Sequence, residues 1–437
     1  MKIPNLKKIT IIIVCIIIII PILFYFYNNQ EPIEDNIKPT IEIITPKNSE
    51  IISNIYMITG TASDKNGDGT LISVEIMINE NEWIKVEGTK EWNYELLTYD
   101  YQDGYYTIKA RSWDGIEYSK IQQKNIKISN PEISDTDTHK WAIFIAASNF
   151  PENNESKLGN GPLNLMEKMT KYFIENYEYS TSNIFILFDD GWIRKDNGYG
   201  KREKTLQQRK HEYAVTYGGA TKKNVETIIN YVINQANNYE DSEVFLWISS
   251  HGCGDNSNKL TGGKIFERSA IFLWDDILTD KDLGDLLFSL KSKKTCVIVD
   301  ACFSGGFADK TIYNLQEFFL YNSNIPNNGR VIMTGSSKFR EGYANVELGP
   351  LFSLLWFDGI STGQADGFKA GFLNNGRPSN LKLFKDGKVS VEEAFYYARY
   401  ILRTDKVLAN YSTMEPQIND QYPRKGLIRN NPGLILG

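Results

Sequence analysis

The alternation of apolar and polar positions divides this chain into an all-β region followed by an α/β region. Between residues 39 and 129, short segments such as TIEIITP, IYMITGTAS and LISVEIMI alternate apolar and polar residues and are separated by Gly, Asn and Asp. A period of two is typical of strands that bury one face. Such segments, repeated over about 90 residues, predict an antiparallel sandwich.

From residue 140 to residue 437, short continuous apolar runs alternate with amphipathic stretches. WAIFIAAS, NIFILFDD, SEVFLWISS, TCVIVDACF and GRVIMTGSS have the character of buried strands, whereas GPLNLMEKMTKYFIENY and SVEEAFYYARYILRT place apolar residues at helical spacing. This alternation predicts a mostly parallel sheet with helices on both faces. Thr279 or Asp280 is expected to cap the helix that begins near Lys281.

Residues 1–28 contain an almost uninterrupted apolar run, Lys7 to Tyr27, which is long enough to cross a bilayer. Lysines precede the run and acidic residues follow it, so the pattern predicts a single-pass anchor in the cell membrane with the bulk of the chain outside. A cleaved signal peptide is the alternative, although its apolar core would be shorter and end in small residues. The polar stretches 29–38 and 130–139 are predicted to be linkers.

Composition narrows the range of partners. The chain has 437 residues and a net charge of -6, and it shows no basic arm or arginine-rich stripe, which argues against a nucleic-acid partner. Three cysteines, Cys253, Cys296 and Cys302, lie beyond the predicted anchor. Their odd number leaves at least one free thiol and does not indicate a disulfide framework.

The stretch Asp64–Glu75, DKNGDGTLISVE, fits the spacing of a calcium-binding loop. An EF-hand requires a helix on each side, whereas the second half of this stretch alternates like a strand. We therefore expect a turn between strands. A calcium ion bound in that turn remains an alternative, and the sequence indicates no other cofactor.

Two apolar runs of the α/β region end in reactive side chains. FLWISSHG ends at His251, which is one of only three histidines, and TCVIVDACFSGG places Cys302 about fifty residues further on. Because ligands bind beyond the carboxyl ends of parallel strands, an imidazole and a thiol at adjacent strand ends would share one cleft. A thiol is mostly protonated at neutral pH, and a neighbouring histidine can accept its proton.

Small residues flank both candidates. The backbone N–H of Gly252 and that of Cys302 are candidate donors to the oxyanion that forms when a thiolate attacks a carbonyl. We expect Gly305 and Gly306 to keep the approach to the sulfur open. These features predict nucleophilic catalysis on a peptide carbonyl by Cys302, with His251 as acid and base.

The His-Gly pair at one strand end and the Asp-Ala-Cys-Phe-Ser-Gly sequence about fifty residues later resemble the caspase–legumain clan of cysteine peptidases. The resemblance covers residues 140–405, and its nearest forms are metacaspases and legumains. It implies an endopeptidase acting on protein or peptide substrates without a metal or an organic cofactor. The preceding region, from GTASDKNGDG onwards, resembles the immunoglobulin-like modules of bacterial and archaeal surface proteins, which imply a spacer or a docking module.

The resemblance bears on substrate preference. Asp300 stands where metacaspases use an acidic residue for a basic P1 side chain, although it is equally suited to capping a helix or turn. Phe303 replaces the acidic residue that legumains carry after their cysteine, and their Arg-His pair is missing. Lys or Arg at P1 is therefore the expected preference. Asp255, four residues after His251, is either a second substrate-binding carboxylate or a solvated turn residue.

Two other functions remain open from the residues. His251, Cys253 and Cys302 could supply three zinc ligands, although no CxxC or HxxxH element accompanies them. The chain could also be a surface adhesion protein with an inactive peptidase fold. Each residue has a structural alternative as well: His251 as a hydrogen-bonded strand-end histidine, and Cys302 as a small buried apolar residue.

The segment 189–219 is long, polar and rich in Lys and Arg. It is either a solvated loop, or a lid or self-processing loop that a peptidase specific for basic residues could cut at Lys201, Arg202, Lys204, Arg209 or Lys210. Asp189 and Asp190, which begin it, either line the cleft or are solvated turn residues.

Overall fold

The computed structural model describes residues 36–130, 138–150, 157–254, 268–308, 325–368, 385–423 and 433–437. The chain divides into two compact units, of which one comprises residues up to 45 together with 59–93 and 107–124. The other contains residues 46–58, 94–106 and the chain from 125 onwards. The second unit thus includes three short segments that the sequence assigned to the sandwich, 46–58, 94–106 and 125–129.

The all-β region forms two sheets. Its nine strands are β1 Thr40–Thr45, β2 Glu50–Ile52, β3 Ile55–Ser63, β4 Ser73–Ile78, β5 Ile84–Lys85, β6 Glu87–Gly88, β7 Glu91–Leu97, β8 Gly104–Trp113 and β9 Gln122–Ile128. The sheet orders are β1-β3-β7-β6 and β2-β9-β8-β4-β5. The segments TIEIITP, IYMITGTAS and LISVEIMI form β1, β3 and β4, and the all-β prediction is confirmed. The other six strands complete the two sheets.

The stretch predicted as a turn or a calcium loop is a turn closed by protein groups. Oδ1 of Asp64 accepts from the N–H of Asn66 at 2.9 Å, and Oδ2 accepts from the Thr70 hydroxyl at 2.6 Å. Glu75 lies in β4 and forms an ion pair with Arg111 at 2.7 Å. A calcium loop would need this last carboxylate beside the first. An EF-hand-type loop is therefore not supported and the turn is confirmed, whereas a calcium ion bound in that turn stays an untested alternative.

A seven-stranded sheet organises the α/β region, in the order β14-β11-β10-β15-β19-β20-β23. These strands are β10 Lys140–Ala146, β11 Ile184–Phe188, β14 Thr216–Gly218, β15 Glu243–Ser249, β19 Lys294–Asp300, β20 Arg330–Thr334 and β23 Gln417–Asp420. Six are parallel, and only the edge strand β23 runs antiparallel to its neighbour. The prediction of a mostly parallel sheet is confirmed.

Further short strands form small antiparallel sheets that are separate from the seven-stranded sheet. They are β12 Trp192–Arg194 with β13 Arg202–Thr205, β16 Gly252–Gly254 with β17 Ser269–Phe272 and β18 Ile277–Thr279, and β21 Ala344–Asn345 with β22 Gly349–Pro350. The group β16-β17-β18 begins directly after the strand that ends before His251. It therefore leaves the main sheet at the edge where the candidate site was expected.

Five helices are described: α1 Gly161–Tyr177, α2 Lys222–Ala236, α3 Asp280–Leu286, α4 Leu351–Ser361 and α5 Val391–Thr404. Thr279 caps α3, because its hydroxyl accepts the N–H of Asp282 while the Asp282 carboxylate accepts the N–H of Thr279. Of the two caps that the sequence left open, Thr279 is the correct one.

Alternate side chains of the central strands enter two separate cores. On β10, Ala142, Phe144 and Ala146 pack with apolar residues of α1, α4 and α5, whereas Trp141, Ile143 and Ile145 pack with those of α2 and α3. Successive strand residues point to opposite faces, so each face needs its own helical cover. The prediction of helices on both faces is confirmed.

Among the residues that the structure describes, no helix has the length and hydrophobicity required to span a bilayer. The anchor predicted for residues 1–28 lies outside those residues. Most of each predicted linker, 29–38 and 130–139, lies outside them as well.

Candidate active site

The two candidate catalytic residues follow adjacent parallel strands. β15 and β19 pair in register from Glu243 opposite Lys294 to Ser249 opposite Asp300. His251 and Cys302 each come two residues after that last pair. Neighbouring strands lie about 4.8 Å apart, so both residues leave the sheet at the same point of its carboxyl edge. The sequence expectation that they belong to adjacent strand ends is met.

Gly252 contacts the backbone of the cysteine directly. A Cβ atom placed on Gly252 would lie 1.9 Å from the carbonyl oxygen of Cys302 and 3.2 Å from Cβ of Ala301. Only a glycine permits this approach. The segment after His251 is therefore held against the residue that carries the thiol, which brings the two proposed oxyanion donors, the N–H groups of Gly252 and Cys302, into one small region.

The thiol of Cys302 is half-buried and has a backbone partner. The N–H of Gly342 donates to Sγ at 3.3 Å, and Sγ lies 3.7 Å from the carbonyl oxygen of Gly342. Burial raises the pKa of Cys302, the Gly342 N–H opposes that rise, and the negative charges of Glu341 and Asp300 add to it. Burial and these charges therefore favour the neutral thiol.

A left-handed backbone follows the thiol. Phe303 has φ of 57°, which is uncommon for a bulky side chain. Its N–H donates to the carbonyl of Arg340 at 2.8 Å, and its carbonyl accepts the Ser269 hydroxyl at 2.6 Å. The Ser269 hydroxyl also accepts the N–H of Gly306 at 2.9 Å. Strand β17 and the loop after β20 thus hold the turn that presents Cys302.

Gly305 and Gly306 are packed tightly against neighbouring segments, and the expectation that they keep the approach to the sulfur open stays a prediction. A Cβ on Gly305 would lie 2.3 Å from the backbone nitrogen of Lys338, and one on Gly306 would lie 2.5 Å from Oγ of Ser269. Both residues are buried. They are glycines because neighbouring segments approach their backbones closely.

His251 sits where β15 gives way to the smaller sheet. Its carbonyl accepts the N–H of Phe272 at 3.0 Å. Its ring centroid lies 6.3 Å from that of Phe150, which follows β10. The backbone bond and the aromatic contact position the histidine from two neighbouring segments.

Asp300 is a buried helix cap. Its side chain is 3% exposed, and Oδ2 accepts the N–H of Ser353 at 2.8 Å and the Ser353 hydroxyl at 2.7 Å. Ser353 lies in the first turn of α4, where backbone N–H groups lack helical partners. Burial raises the pKa of Asp300 to about 6, and the bonds from Ser353 oppose the rise. The assignment of Asp300 to direct substrate contact is therefore not supported; it caps α4, a helix distant in sequence.

Of the remaining predicted carboxylates, Asp255 lies outside the described residues. Asp189 and Asp190 are buried and are not solvated turn residues. Asp189 accepts the N–H of Ser148 at 2.7 Å, and burial raises its pKa to about 7. Asp190 accepts two bonds from Arg194, at 2.9 and 2.8 Å. Both carboxylates stabilise loops at the sheet edge.

The zinc alternative is not supported, because His251, Cys253 and Cys302 do not form a metal-binding group. Among the residues that the structure describes, no group of three or more His, Cys, Asp or Glu side chains has an arrangement that could hold a metal ion. Cys253 is buried in β16, where it pairs with Ala270, and Cys296 is buried in β19. These buried positions are typical of structural cysteines.

No sequence pattern indicated that the loop after β20 would reach the site. Glu341 and Gly342 adjoin the thiol although they lie about forty residues from it in the chain. Neither residue has a local pattern that indicates this contact, which depends on the pairing of β19 with β20. The aromatic neighbours of His251 were missed for the same reason.

Comparison with known proteins follows the same division of the chain. A caspase-domain family model matches residues 139–413, and a bacterial immunoglobulin-domain model matches residues 39–110. No curated protein matches the chain.

Solved structures match in parts. Caspase-1 of Spodoptera frugiperda is 11% identical with a TM-score of 0.36, and the match covers 68% of this chain and 94% of that chain. The fibronectin(III)-like modules of Clostridium thermocellum CbhA are 21% identical with a TM-score of 0.20, over 24% of this chain and 53% of theirs. An endo-β-1,4-mannanase of Thermotoga petrophila is 18% identical with a TM-score of 0.20, over 22% of this chain and 21% of its own.

Proposed function

The chain belongs to the caspase family, and we propose that it is an endopeptidase with Cys302 as nucleophile and His251 as acid and base. Membership of this family supports a cysteine peptidase that acts on protein substrates. The observation that carries the dyad is the register of β15 and β19, which takes His251 and Cys302 to matching positions at one sheet edge.

The proposed reaction has two stages. The imidazole of His251 takes the thiol proton as Sγ attacks the peptide carbonyl, and the backbone N–H groups of Gly252 and Cys302 stabilise the oxyanion. The imidazolium then protonates the leaving amine, and a thioester to Cys302 remains. A water molecule, deprotonated by His251, attacks the thioester, and the proton returns to the departing sulfur.

The raised pKa of Cys302 is consistent with a mechanism in which His251 takes the thiol proton during the attack. Burial and the nearby negative charges favour the neutral thiol, so the proton leaves only when a base and a carbonyl are both in place.

A preference for Lys or Arg at P1 belongs to the same proposal. It is supported by the negative charges of Glu341 and Asp300, which both act on the thiol and would attract a cationic side chain. Asp300 contributes through its charge, since its carboxylate is bound to Ser353. Glu341 is exposed and can reach a substrate.

We further propose that residues 1–28 anchor the protein in the cell membrane and leave the peptidase domain outside the cytoplasm. The support is the length of the apolar run and the distribution of charges around it. Protein or peptide substrates would then be extracytoplasmic, and no nucleic-acid partner is expected.

The test is cleavage of fluorogenic peptides with Arg, Lys, Asn or Asp at P1 by the purified full chain. Cys302→Ala and His251→Ala should each lower kcat/KM by at least about 10³-fold. Cys296→Ala and His139→Ala are matched controls, since Cys296 lies in the core and His139 pairs with Asp241 at 2.8 Å. Chelators should have no effect. If no peptide is cut and Cys302 resists alkylation, the adhesion-protein alternative is favoured.

A further inference from the structure

Three aromatic side chains form a partly exposed surface beside His251, which we call the aromatic wall: Phe150, Phe272 and Trp274. Phe150 stacks on Trp274 with ring centroids 5.5 Å apart and planes at 12°. Its ring centroid lies 6.2 Å from that of Phe272 in an edge-to-face arrangement, and 6.3 Å from that of His251 with the planes tilted by 40°. All three side chains retain partial exposure to solvent.

Contacts with Ala220 and Arg194 fix the position of Trp274 within the wall. The N–H of Trp274 donates to the carbonyl of Ala220 at 2.9 Å. The guanidinium of Arg194 lies 4.7 Å from the Trp274 ring centroid, and Asp190 fixes that guanidinium through two hydrogen bonds. Arg194 and Asp190 are 7% and 8% exposed. A cation on an aromatic face and a two-bond ion pair are both directional, so Trp274 is preorganised.

The position of the wall relative to the dyad decides what it can contact. Cys302 bonds to the carbonyl carbon of the scissile peptide, whereas His251 protonates the leaving amine. The residue that carries this amine, P1′, must therefore lie next to the imidazole. Because Phe150 contacts the imidazole ring and Phe272 is bonded to the His251 carbonyl, the wall borders the place of the P1′ side chain.

We propose that the aromatic wall is the P1′ subsite and selects substrates with a large apolar or aromatic residue directly after the scissile bond. The inference rests on the proposed peptidase function and adds a requirement on the leaving side of the bond. Contact with an apolar pocket discriminates between side chains by about 10–200-fold, which sets the size of the expected preference.

Internally quenched peptides test the proposal. They share one sequence up to a common P1 residue and carry Phe, Leu, Ser or Glu at P1′. The full chain should cleave the Phe and Leu peptides with kcat/KM at least about tenfold above the Ser and Glu peptides. Phe150→Ala should bring the Phe-to-Ser ratio to within about twofold of unity, while Phe150→Leu should retain part of it.

Two further variants guard against indirect effects. Trp274→Leu should lower the same ratio through the other stacked ring. Phe288→Ala removes an aromatic side chain that is 77% exposed and lies outside the wall, so it should leave the ratio unchanged. If Phe150 merely positions His251, its replacement will lower kcat/KM for every peptide by one factor and preserve the ratio.

The outcomes separate the inference from its premise. Equal cleavage of all four peptides by the wild type, or a Phe-to-Ser ratio that survives both wall substitutions, overturns the P1′ assignment and leaves the peptidase intact. If the wild type shows no cleavage that depends on Cys302, both the P1′ assignment and the proposed peptidase function are overturned. Loss of the ratio in folded Phe150→Ala and Trp274→Leu, with cleavage of the Ser peptide retained, supports the assignment.

Discussion

His251 and Cys302 occupy matching positions beyond two adjacent parallel strands, each two residues after the pair formed by Ser249 and Asp300. Parallel pairing keeps this offset constant along the ladder, so the strands themselves set the relative height of imidazole and thiol. A site on rigid strand ends is more precisely placed than one carried by free loops. The register therefore matters for chemistry as well as for stability.

Gly252→Ala should strongly reduce activity even though the side chain added is small. Its Cβ would lie 1.9 Å from the Cys302 carbonyl oxygen and 2.9 Å from the carbonyl carbon, so the two backbones must separate. Misplacement of a reacting group by about 1 Å can cost about 10²-fold in rate. We expect at least that loss in kcat/KM. Gly69→Ala, where a Cβ meets nothing within 4 Å, should behave like the wild type. Unchanged turnover by Gly252→Ala would contradict the assigned contact.

Glu341→Gln should make the thiol more reactive. Burial raises the pKa of Cys302, the Gly342 N–H opposes that rise, and the negative charge of Glu341 adds to it. Removing the Glu341 charge therefore lowers this pKa and increases the thiolate fraction. The rate of iodoacetamide alkylation at Cys302 should rise about two- to threefold at a fixed pH near 7.5, and its pH profile should shift to lower pH.

Glu347→Gln is the matched control for this measurement, because Glu347 is an exposed residue of the same region. Mass spectrometry of the labelled peptide distinguishes Cys302 from the buried cysteines. A slower reaction or an unmoved profile in Glu341→Gln would show that this charge does not act on the thiol.

Asp300→Asn should flatten the pH dependence of stability. The folded pKa of about 6 exceeds the ordinary value of 3.8, so the folded state binds the proton more tightly. The stabilisation is complete below pH 3.8 and is lost as the pH rises through 6. Asparagine stays neutral, and the cost of the substitution should be larger near pH 4 than near pH 7.5, by about 1–3 kcal/mol.

Urea unfolding at several pH values measures this difference. Asp386→Asn, at an exposed carboxylate, is the control measured alongside. A mutational cost that is the same at both pH values would mean that the Asp300 carboxyl titrates normally.

Self-cleavage within residues 189–219 should occur after Lys210. Lys201 and Lys210 are both exposed, but Lys201 is followed by Arg202, which Asp190 binds and which is not apolar, whereas Lys210 is followed by the aromatic ring of His211. Arg209 pairs with Glu167 at 3.0 Å. Cleavage after either arginine would first require these contacts to open. Mass spectrometry of the incubated full chain identifies the new termini.

Cys302→Ala is the control for this experiment and should stay intact under the same conditions. Fragments that form equally in this variant would point to a contaminating peptidase. An intact wild-type chain after long incubation with an active enzyme would remove the self-processing hypothesis.

The sequence anticipated the central strands because their apolar runs are long and continuous. β10, β11, β15, β19 and β20 were all predicted from such runs. Strands β14 and β23 were not, since one has three residues and the other is a short antiparallel edge. Short edge strands depend on the backbone that they pair with, and local composition carries little of that information.

Some residues of the candidate site could likewise be identified from the sequence, and others could not. His251, Gly252 and Cys302 were identified because small and reactive residues directly follow two buried strands. Asp300 was ambiguous, since its neighbours in sequence do not include Ser353, the residue that binds it. The role of a carboxylate depends on what surrounds it in space.

By itself, the sequence determined the two fold classes, the order of the strands along the chain and the residues able to do thiol chemistry. Periodicity and residue type are local properties that act through backbone geometry and burial. Only the tertiary structure decided that Gly342 contacts the thiol, that Asp300 caps a distant helix and that aromatic rings border His251. These contacts join segments far apart in sequence, and their partners are set by the sheet order, which no local pattern encodes.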